Sequence, residues 1–376
     1  MKKSMKLNSL KTLGLATGVL AHAFGAAAQP NSIEAICAQP DIECSFDDAG
    51  VIVGSPGSTQ FYAGGVKQAA QKFEHYFGEV APQAAVVLGE VLDTDVRRQL
   101  RQSYPVVLPW LTLRDREDMI ARGVRRQIQR ARPDLEGEAL EAVVKRSVEA
   151  SLSASGNSGD EDLHSGVFAH ELGHLFFIET YWPSDDLDVL ETNPAAVTRY
   201  AGPGPDWLDE MAAVLMENDA LTNGREEGLV TANAADDGLQ ALWPLDEFFT
   251  MTHPAFEQAR RLIEARQNSA EGRARGGVVM LSSGELEARE DGRSPATFYA
   301  QSRGFADYMI EKSGDSRLFA SIAAYIAAGG DMAGWLADHG QAAGVPDTIK
   351  TLDADFKAWL MDKYDDQLPS GEGHAH

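Results

Sequence analysis

The segment His170–His174, with the sequence H-E-L-G-H, constrains this chain more than any other feature. Its two histidines are four residues apart, so in a helix their side chains share one face and can reach a single ion. The flanking residues 167–178 are mostly apolar, which indicates a helix buried against a core. Burying two imidazoles and a carboxylate there without partners costs about 1–3 kcal/mol for each group. A bound ion removes that cost, so the pattern predicts a metal site.

Glu171 lies one position further round the same helix, beside the ion and outside its ligand set. A zinc ion lowers the pKa of a water molecule it binds to about 7, and a carboxylate at this position can accept the proton. We therefore expect one Zn²⁺ per chain, with Glu171 as the general base. A catalytic zinc takes three protein ligands. One arrangement, with Gly and His three and six residues after the second histidine, is excluded because Phe177 and Thr180 stand there.

A second apolar segment offers carboxylates for the third position. A helix is predicted from about residue 205 to 220, and it contains the adjacent acids Asp209 and Glu210. An ordinary core helix with its acids on a solvated face is the alternative interpretation. The apolar run at residues 211–216 argues against it, because a carboxylate buried in such a helix needs a cation.

This segment resembles the glutamate helix of the gluzincin peptidases, the thermolysin-like clan that includes the aminopeptidase N and leukotriene hydrolase families and related exported bacterial proteins. Their pattern W-L-x-E-x-x-A-x-x-x-E is matched at five positions: Trp207, Leu208, Glu210, Ala213 and Glu217. The resemblance implies that Glu210 joins His170 and His174 as the third zinc ligand. It also implies that Glu217, two turns along the same face, orients a ligand histidine.

Three other acids remain alternatives to Glu210. Asp209 is one, because aspartate is the ligand in another branch of the clan. The spacing from His174 to Glu210 is 36 positions, longer than is usual in the aminopeptidases. A surface excursion over residues 181–205 accounts for that length; without it, the nearer Glu179 and Glu191 become candidates.

A tyrosine near the start of a later helix matches a third element of the clan. The segment 299–309, Y-A-Q-S-R-G-F-A-D-Y-M, is similar to the pattern Y-x-x-G-x-x-x-x-x-Y-L of the leukotriene hydrolase group, with Ser for Gly and Met for Leu. The resemblance implies that Tyr299 stabilises the oxyanion formed at a scissile carbonyl. A packing role is the alternative, and Tyr308 is expected in the core. The resemblance covers residues 163–364. The sequence lacks the G-x-M-E-N motif with which the aminopeptidases anchor a substrate N-terminus.

The remaining histidines give weaker signals. His164, six residues before His170, is expected to cap or precede the helix. His253 is expected in a turn, with a place in the cleft as the alternative. His374 and His376 belong to a polar C-terminal tail.

The first 28 residues are interpreted as a secretory signal peptide. Four lysines precede an apolar run at 13–24, and small residues follow at 25–28. The protein is therefore expected to be exported, either periplasmic or secreted. In such a compartment Cys37 and Cys44 are expected to form a disulfide, with a metal half-site or two free thiols as alternatives. The formal charge of −24 becomes more negative without the signal peptide and argues against nucleic acid or anionic membranes as partners.

The pattern of the whole chain predicts an α+β fold. Residues 29–155 are expected to form a small α/β region with a helical extension, with strands at 51–53, 84–88 and 105–113. Residues 156–376 are expected to form a predominantly helical catalytic domain of gluzincin type. The predicted function is an exported zinc metallopeptidase acting on peptides or proteins. The alternatives are a zinc hydrolase of a non-peptide small molecule and an exported zinc-containing binding protein without turnover.

Overall fold

A computed structural model describes residues 33–89, 99–154, 161–183, 202–234, 238–258 and 293–364. The predicted signal peptide, most of the excursion at 181–205 and the C-terminal histidines lie outside these ranges, and the export prediction stays untested. Among the described residues, none of the helices has the length and apolarity needed to cross a membrane.

A four-stranded mixed sheet lies in the N-terminal region. Its strands are adjacent in chain order; β1 is antiparallel to β2, and β2, β3 and β4 are parallel. The three predicted strands are confirmed as β2 to β4, whereas β1 was not predicted. The bounds are β1 Glu43–Asp47, β2 Gly50–Gly54, β3 Ala84–Leu88 and β4 Val106–Trp110.

Both faces of the sheet are covered, as is usual for parallel strands. Helix α2, Thr59–Phe77, connects β2 to β3, and side chains such as Ile52 and Val86 join its core. On the other face, alternate residues such as Val51 and Val87 pack with Ile36 of the short helix α1, Ile33–Cys37. The disulfide between Cys37 and Cys44 is confirmed and ties α1 to β1, with the two Cα atoms 5.7 Å apart.

The rest of the described chain is helical, which confirms the predicted α+β class with a small sheet and a mostly helical remainder. The helices are α3 Leu113–Ala131, α4 Gly137–Ala154, α5 Glu161–Tyr181, α6 Asp206–Met216, α7 Asp219–Ala234, α8 Leu245–Phe248, α9 Pro295–Ser313, α10 Leu318–Ala327, α11 Met332–Trp335 and α12 Ile349–Tyr364. The division between 29–155 and 156–376 stays a prediction. A single core contains side chains from both sides of it, since Phe73 on α2 meets Phe176 on α5 with ring centroids 5.8 Å apart.

Helices α5 and α6 are held close together by a glycine. A Cβ atom at Gly173 would lie 2.8 Å from the Cα of Ala213 and 2.8 Å from the Cγ of Met216, which is closer than atoms can pack. The middle of the H-E-L-G-H segment therefore lies directly against the backbone of α6. This contact sets how far the two histidines of α5 stand from the acids of α6.

Candidate metal centre

His170 and His174 on α5 and Glu210 on α6 converge on one buried point. The Nε2 atoms of the histidines are 3.2 Å apart. Glu210 Oε1 lies 3.4 Å from His170 Nε2, and Glu210 Oε2 lies 3.7 Å from His174 Nε2. All three residues are buried, and their ligand atoms lie within 4.8 Å of one another. This group can hold a metal ion.

A carboxylate orients each imidazole from its far side. His170 Nδ1 donates to Glu217 Oε1 at 2.9 Å, and His174 Nδ1 donates to Asp209 Oδ1 at 3.0 Å. With the proton on Nδ1, each neutral ring presents the lone pair of Nε2 to the shared point. Metal-binding histidines are held in this way, by a carboxylate on the nitrogen remote from the ion.

Glu210 adds a buried negative charge to the two imidazoles. Its side chain is fully buried, and within the described ranges no donor is aligned to hydrogen-bond either of its carboxylate oxygens. Burial alone would raise its pKa, but His170, His253 and His174 outweigh burial and lower the pKa to about 2. A buried ionised carboxylate beside two Nε2 lone pairs is stabilised by a cation, so the residues present fit a metal ion.

The pKa of His174 points to the same need for positive charge. Burial lowers this pKa, but the charge and hydrogen bond of Asp209, with the charges of Glu210 and Glu171, raise it to about 10. The raised pKa reflects the negative charge of the acids around this ring, which a metal ion at the shared point would also neutralise. A histidine nitrogen acts as a metal ligand only when it is deprotonated, so metal binding here is expected to release protons.

Glu217 comes from the end of α6, not from within it. Helix α6 ends at Met216, and Glu217 is the C-cap residue with ψ of 150°. The helix predicted to continue to residue 220 is therefore wrong at its C-terminal end, although the predicted contact with a ligand histidine is present. Arg225 on α7 donates to both carboxylate oxygens of Glu217, with its Nη2 2.7 Å from Oε1. Lys72 donates to the backbone carbonyl of Glu217.

Tyr299 lies beside the ligand group, in the first turn of α9. Its ring centroid is 6.0 Å from that of His170, and the guanidinium carbon of Arg225 lies 4.7 Å from the ring centroid of Tyr299. Burial is the main cause that raises the pKa of Tyr299, with a further contribution from Glu210. Its hydroxyl therefore stays protonated and able to donate. Glu171 is partly buried, and its charge acts on both His174 and Tyr299.

Two further histidines have positions that the sequence defined less well. His253, expected in a turn with a place in the cleft as the alternative, is fully buried with its Nε2 3.2 Å from Glu210 Oε2, which favours the alternative. His164, expected to cap or precede α5, lies inside the helix and is buried. Trp110 Nε1 donates to His164 Nε2 at 3.0 Å, and the hydroxyl of Tyr62 is 2.8 Å from the same nitrogen.

The alternatives to Glu210 occupy other positions. Asp209 contacts His174 from behind, on the nitrogen remote from the shared point. Glu179 lies more than one turn beyond His174 on α5 and is outside the group of converging ligand atoms, and Glu191 lies outside the described residues. Arg225 and His253 are the two neighbours that the sequence motifs did not identify.

No protein-family model matches this chain, and no curated protein or solved structure does.

Proposed function

We propose that the chain is an exported zinc-dependent metallopeptidase of gluzincin type. One observation carries the proposal: His170, His174 and Glu210 converge at a buried point, and the charge of Glu171, the residue after His170, acts on His174. The same set would also be present in a zinc hydrolase of a small molecule or in a zinc-containing binding protein. The general base and the nearby tyrosine favour a hydrolase, and the sequence resemblance favours a peptide substrate.

The spacing of the ligand atoms supports zinc. In a tetrahedral site with bonds of about 2.0–2.1 Å, ligand atoms lie roughly 3.3–3.4 Å apart. The separations of 3.2 Å between the two Nε2 atoms and of 3.4 Å between His170 Nε2 and Glu210 Oε1 fall close to this value. Two imidazoles with one carboxylate are also a ligand set that catalytic zinc sites use, with one position left for water.

In the proposed reaction, His170, His174 and Glu210 would hold zinc, which would supply Lewis-acid polarisation of the scissile carbonyl and lower the pKa of a water molecule. Glu171 accepts a proton from the attacking water and delivers it to the leaving amine. Tyr299 donates its hydroxyl proton in a hydrogen bond to the carbonyl oxygen as negative charge develops there. Its raised pKa keeps that proton in place at neutral pH.

Zinc content and peptide turnover of purified protein test the proposal. About one zinc per wild-type chain, with cleavage of members of a mixed peptide library, is expected. Glu171→Gln is expected to keep the zinc and to lose turnover. Glu161→Gln, at an exposed position in the first turn of the same helix, is the matched control and is expected to retain turnover.

The alternatives give different results in the same experiment. Turnover of small amides or epoxides without peptide cleavage indicates the non-peptide hydrolase. Zinc without any turnover indicates the binding protein. Peptide cleavage that persists in Glu171→Gln contradicts the assigned general base.

A further inference from the structure

His253 brings a third imidazole to the metal centre from a segment that no sequence motif covers. It lies between α8 and α9, and its side chain is fully buried. Its Nε2 is 3.2 Å from Glu210 Oε2. The ring packs against Phe298 and Tyr299, with centroid separations of 4.8 and 5.3 Å. The packing of these rings therefore holds the buried imidazole of His253 next to Glu210.

Two hydrogen bonds from backbone N–H groups hold His253 in place, one accepted by its ring and one donated by its own main chain. The backbone N–H of Ala255 donates to His253 Nδ1 at 3.2 Å. A ring nitrogen that accepts a hydrogen bond carries no proton, so the proton of the neutral imidazole is on Nε2, the atom that faces Glu210. The backbone N–H of His253 donates to Asp206 Oδ2 at 2.7 Å. Asp206 and Glu210 both belong to α6. The same helix therefore carries Glu210 and the carboxylate that holds the backbone of His253 beside Glu210.

We propose that His253 is a positioning residue that directs its Nε2–H to Glu210 Oε2 and thereby presents Glu210 Oε1 to the metal ion. Oε1 is the oxygen closer to His170, with 3.4 Å to its Nε2. His253 Nε2 and Glu210 Oε2 lie 3.2 Å apart, which is within hydrogen-bond distance. The role rests on the metal site of the proposed function, but it does not depend on which substrate is cleaved.

The restraint matters because neither carboxylate oxygen of Glu210 has an aligned hydrogen-bond donor among the described residues. Carboxylates orient both ligand histidines, whereas Glu210 is surrounded by imidazoles and interacts with the charge of Arg225 without a hydrogen bond. Loss of the His253 donor leaves the carboxylate able to turn away from the ion. Outer groups that hold a ligand typically change metal affinity about 10–100-fold when they are removed.

Zinc affinity of two variants, measured by competition with a chelator of known affinity, tests the proposal. His253→Phe keeps an aromatic ring between Phe298 and Tyr299 but removes the N–H donor. It is expected to weaken zinc binding about 10–100-fold. His253→Gln places an amide N–H at a similar reach and is expected to recover most of that affinity. Thermal unfolding of the metal-free proteins shows whether each variant folds.

The outcomes separate this proposal from the proposed function. Wild-type affinity in a folded His253→Phe variant overturns the positioning role and leaves the metal centre intact. Equal losses in the Phe and Gln variants also overturn it, since the ring and not the donor would then be needed. Weaker zinc binding in His253→Phe with recovery in His253→Gln supports it, even if the wild type cleaves no peptide. Absence of zinc uptake by the wild type overturns both proposals.

Discussion

Glu217 accepts a hydrogen bond of 2.9 Å from Nδ1 of His170 although it stands one residue beyond the end of α6. The chain turns to an extended conformation at this residue, and its carboxylate lies between His170 and Arg225. Burial would raise the pKa of Glu217, but its hydrogen bond from His170 and the charge of Arg225 lower it. The acid therefore stays ionised while it is buried, and it orients the imidazole that faces the metal point.

Replacement of Glu217 tests this support. Glu217→Gln keeps the shape of the side chain but removes its charge and one acceptor oxygen. Zinc affinity is expected to fall about 10–100-fold, because the orientation of His170 is lost. Glu227→Gln, at an exposed position on α7, is the matched control and is expected to bind zinc like the wild type. Unchanged zinc affinity in Glu217→Gln would show that the carboxylate does not support the metal ligand.

Local spacing explains why part of this site was predicted from the sequence. The two histidines follow the helical repeat on α5, and Glu210 holds a fixed place in the motif on α6. Arg225 and His253 reach the site through the packing of separate segments, and neither has a periodic signature. His253 follows Thr252 and precedes Pro254, which is the composition of a turn. Its burial depends on helices far away in the sequence.

The strands also show that prediction from local sequence fails where a segment is held by contacts with distant residues. Strands β2 and β3 are buried along their whole length and have continuous apolar sequences, so they were predicted. Strand β1 was missed because none of its residues is buried and its sequence, E-C-S-F-D, has only two apolar residues, of which Phe46 is exposed. It is held by pairing with β2 and by the disulfide at Cys44. The disulfide was predicted, but the pairing of β1 with β2 cannot be derived from the local pattern of the segment.

The role of Tyr299 predicts a defect in turnover without a defect in metal binding. Tyr299→Phe removes only the hydroxyl, so kcat for a cleaved peptide is expected to fall about 10²–10³-fold. KM and zinc content are expected to change little. Tyr308→Phe is the control from the same helix, because its hydroxyl donates to Asp355 at 2.6 Å, and Asp355 is not one of the converging ligand residues. A fall in kcat that is equal in both variants would assign the effect to α9 as a whole.

The close contact at Gly173 predicts a coupled loss of stability and metal binding. In Gly173→Ala the new methyl group meets the backbone of Ala213 at 2.8 Å, so α5 and α6 must separate. Overpacking of this kind costs about 1–3 kcal/mol in the free energy of unfolding. Zinc affinity should fall as well, since Glu210 moves away with α6. Urea unfolding and chelator competition measure the two effects.

A second helical glycine provides the control for Gly173. A Cβ atom at Gly123 on α3 meets no atom within 4 Å. Gly123→Ala is therefore expected to stabilise the protein by about 0.5–1 kcal/mol, through the helix preference of alanine, and to leave zinc binding unchanged. A stabilised Gly173→Ala variant with full zinc affinity would contradict the close approach of α5 and α6.

The buried cluster of His164, Tyr62 and Trp110 predicts a pH dependence of stability that is separate from the metal ligands. Burial lowers the pKa of His164 to about 4, from an ordinary value of 6.5. Between pH 6.5 and 4, His164 is protonated in the unfolded chain but neutral in the folded chain. The free energy of unfolding therefore falls as the pH drops from 6.5 towards 4. The full shift corresponds to a loss on the order of 3 kcal/mol in the free energy of unfolding.

His164→Gln isolates this contribution. Glutamine does not titrate, and its carbonyl oxygen can accept the hydrogen bond that Trp110 donates to His164. Urea unfolding of both metal-free proteins at pH 7 and pH 4 gives the comparison, and removal of the metal excludes zinc release as a cause. The wild type is expected to lose up to about 3 kcal/mol more than the variant over this interval. Equal losses would mean that His164 takes up its proton as easily in the folded chain as in the unfolded one.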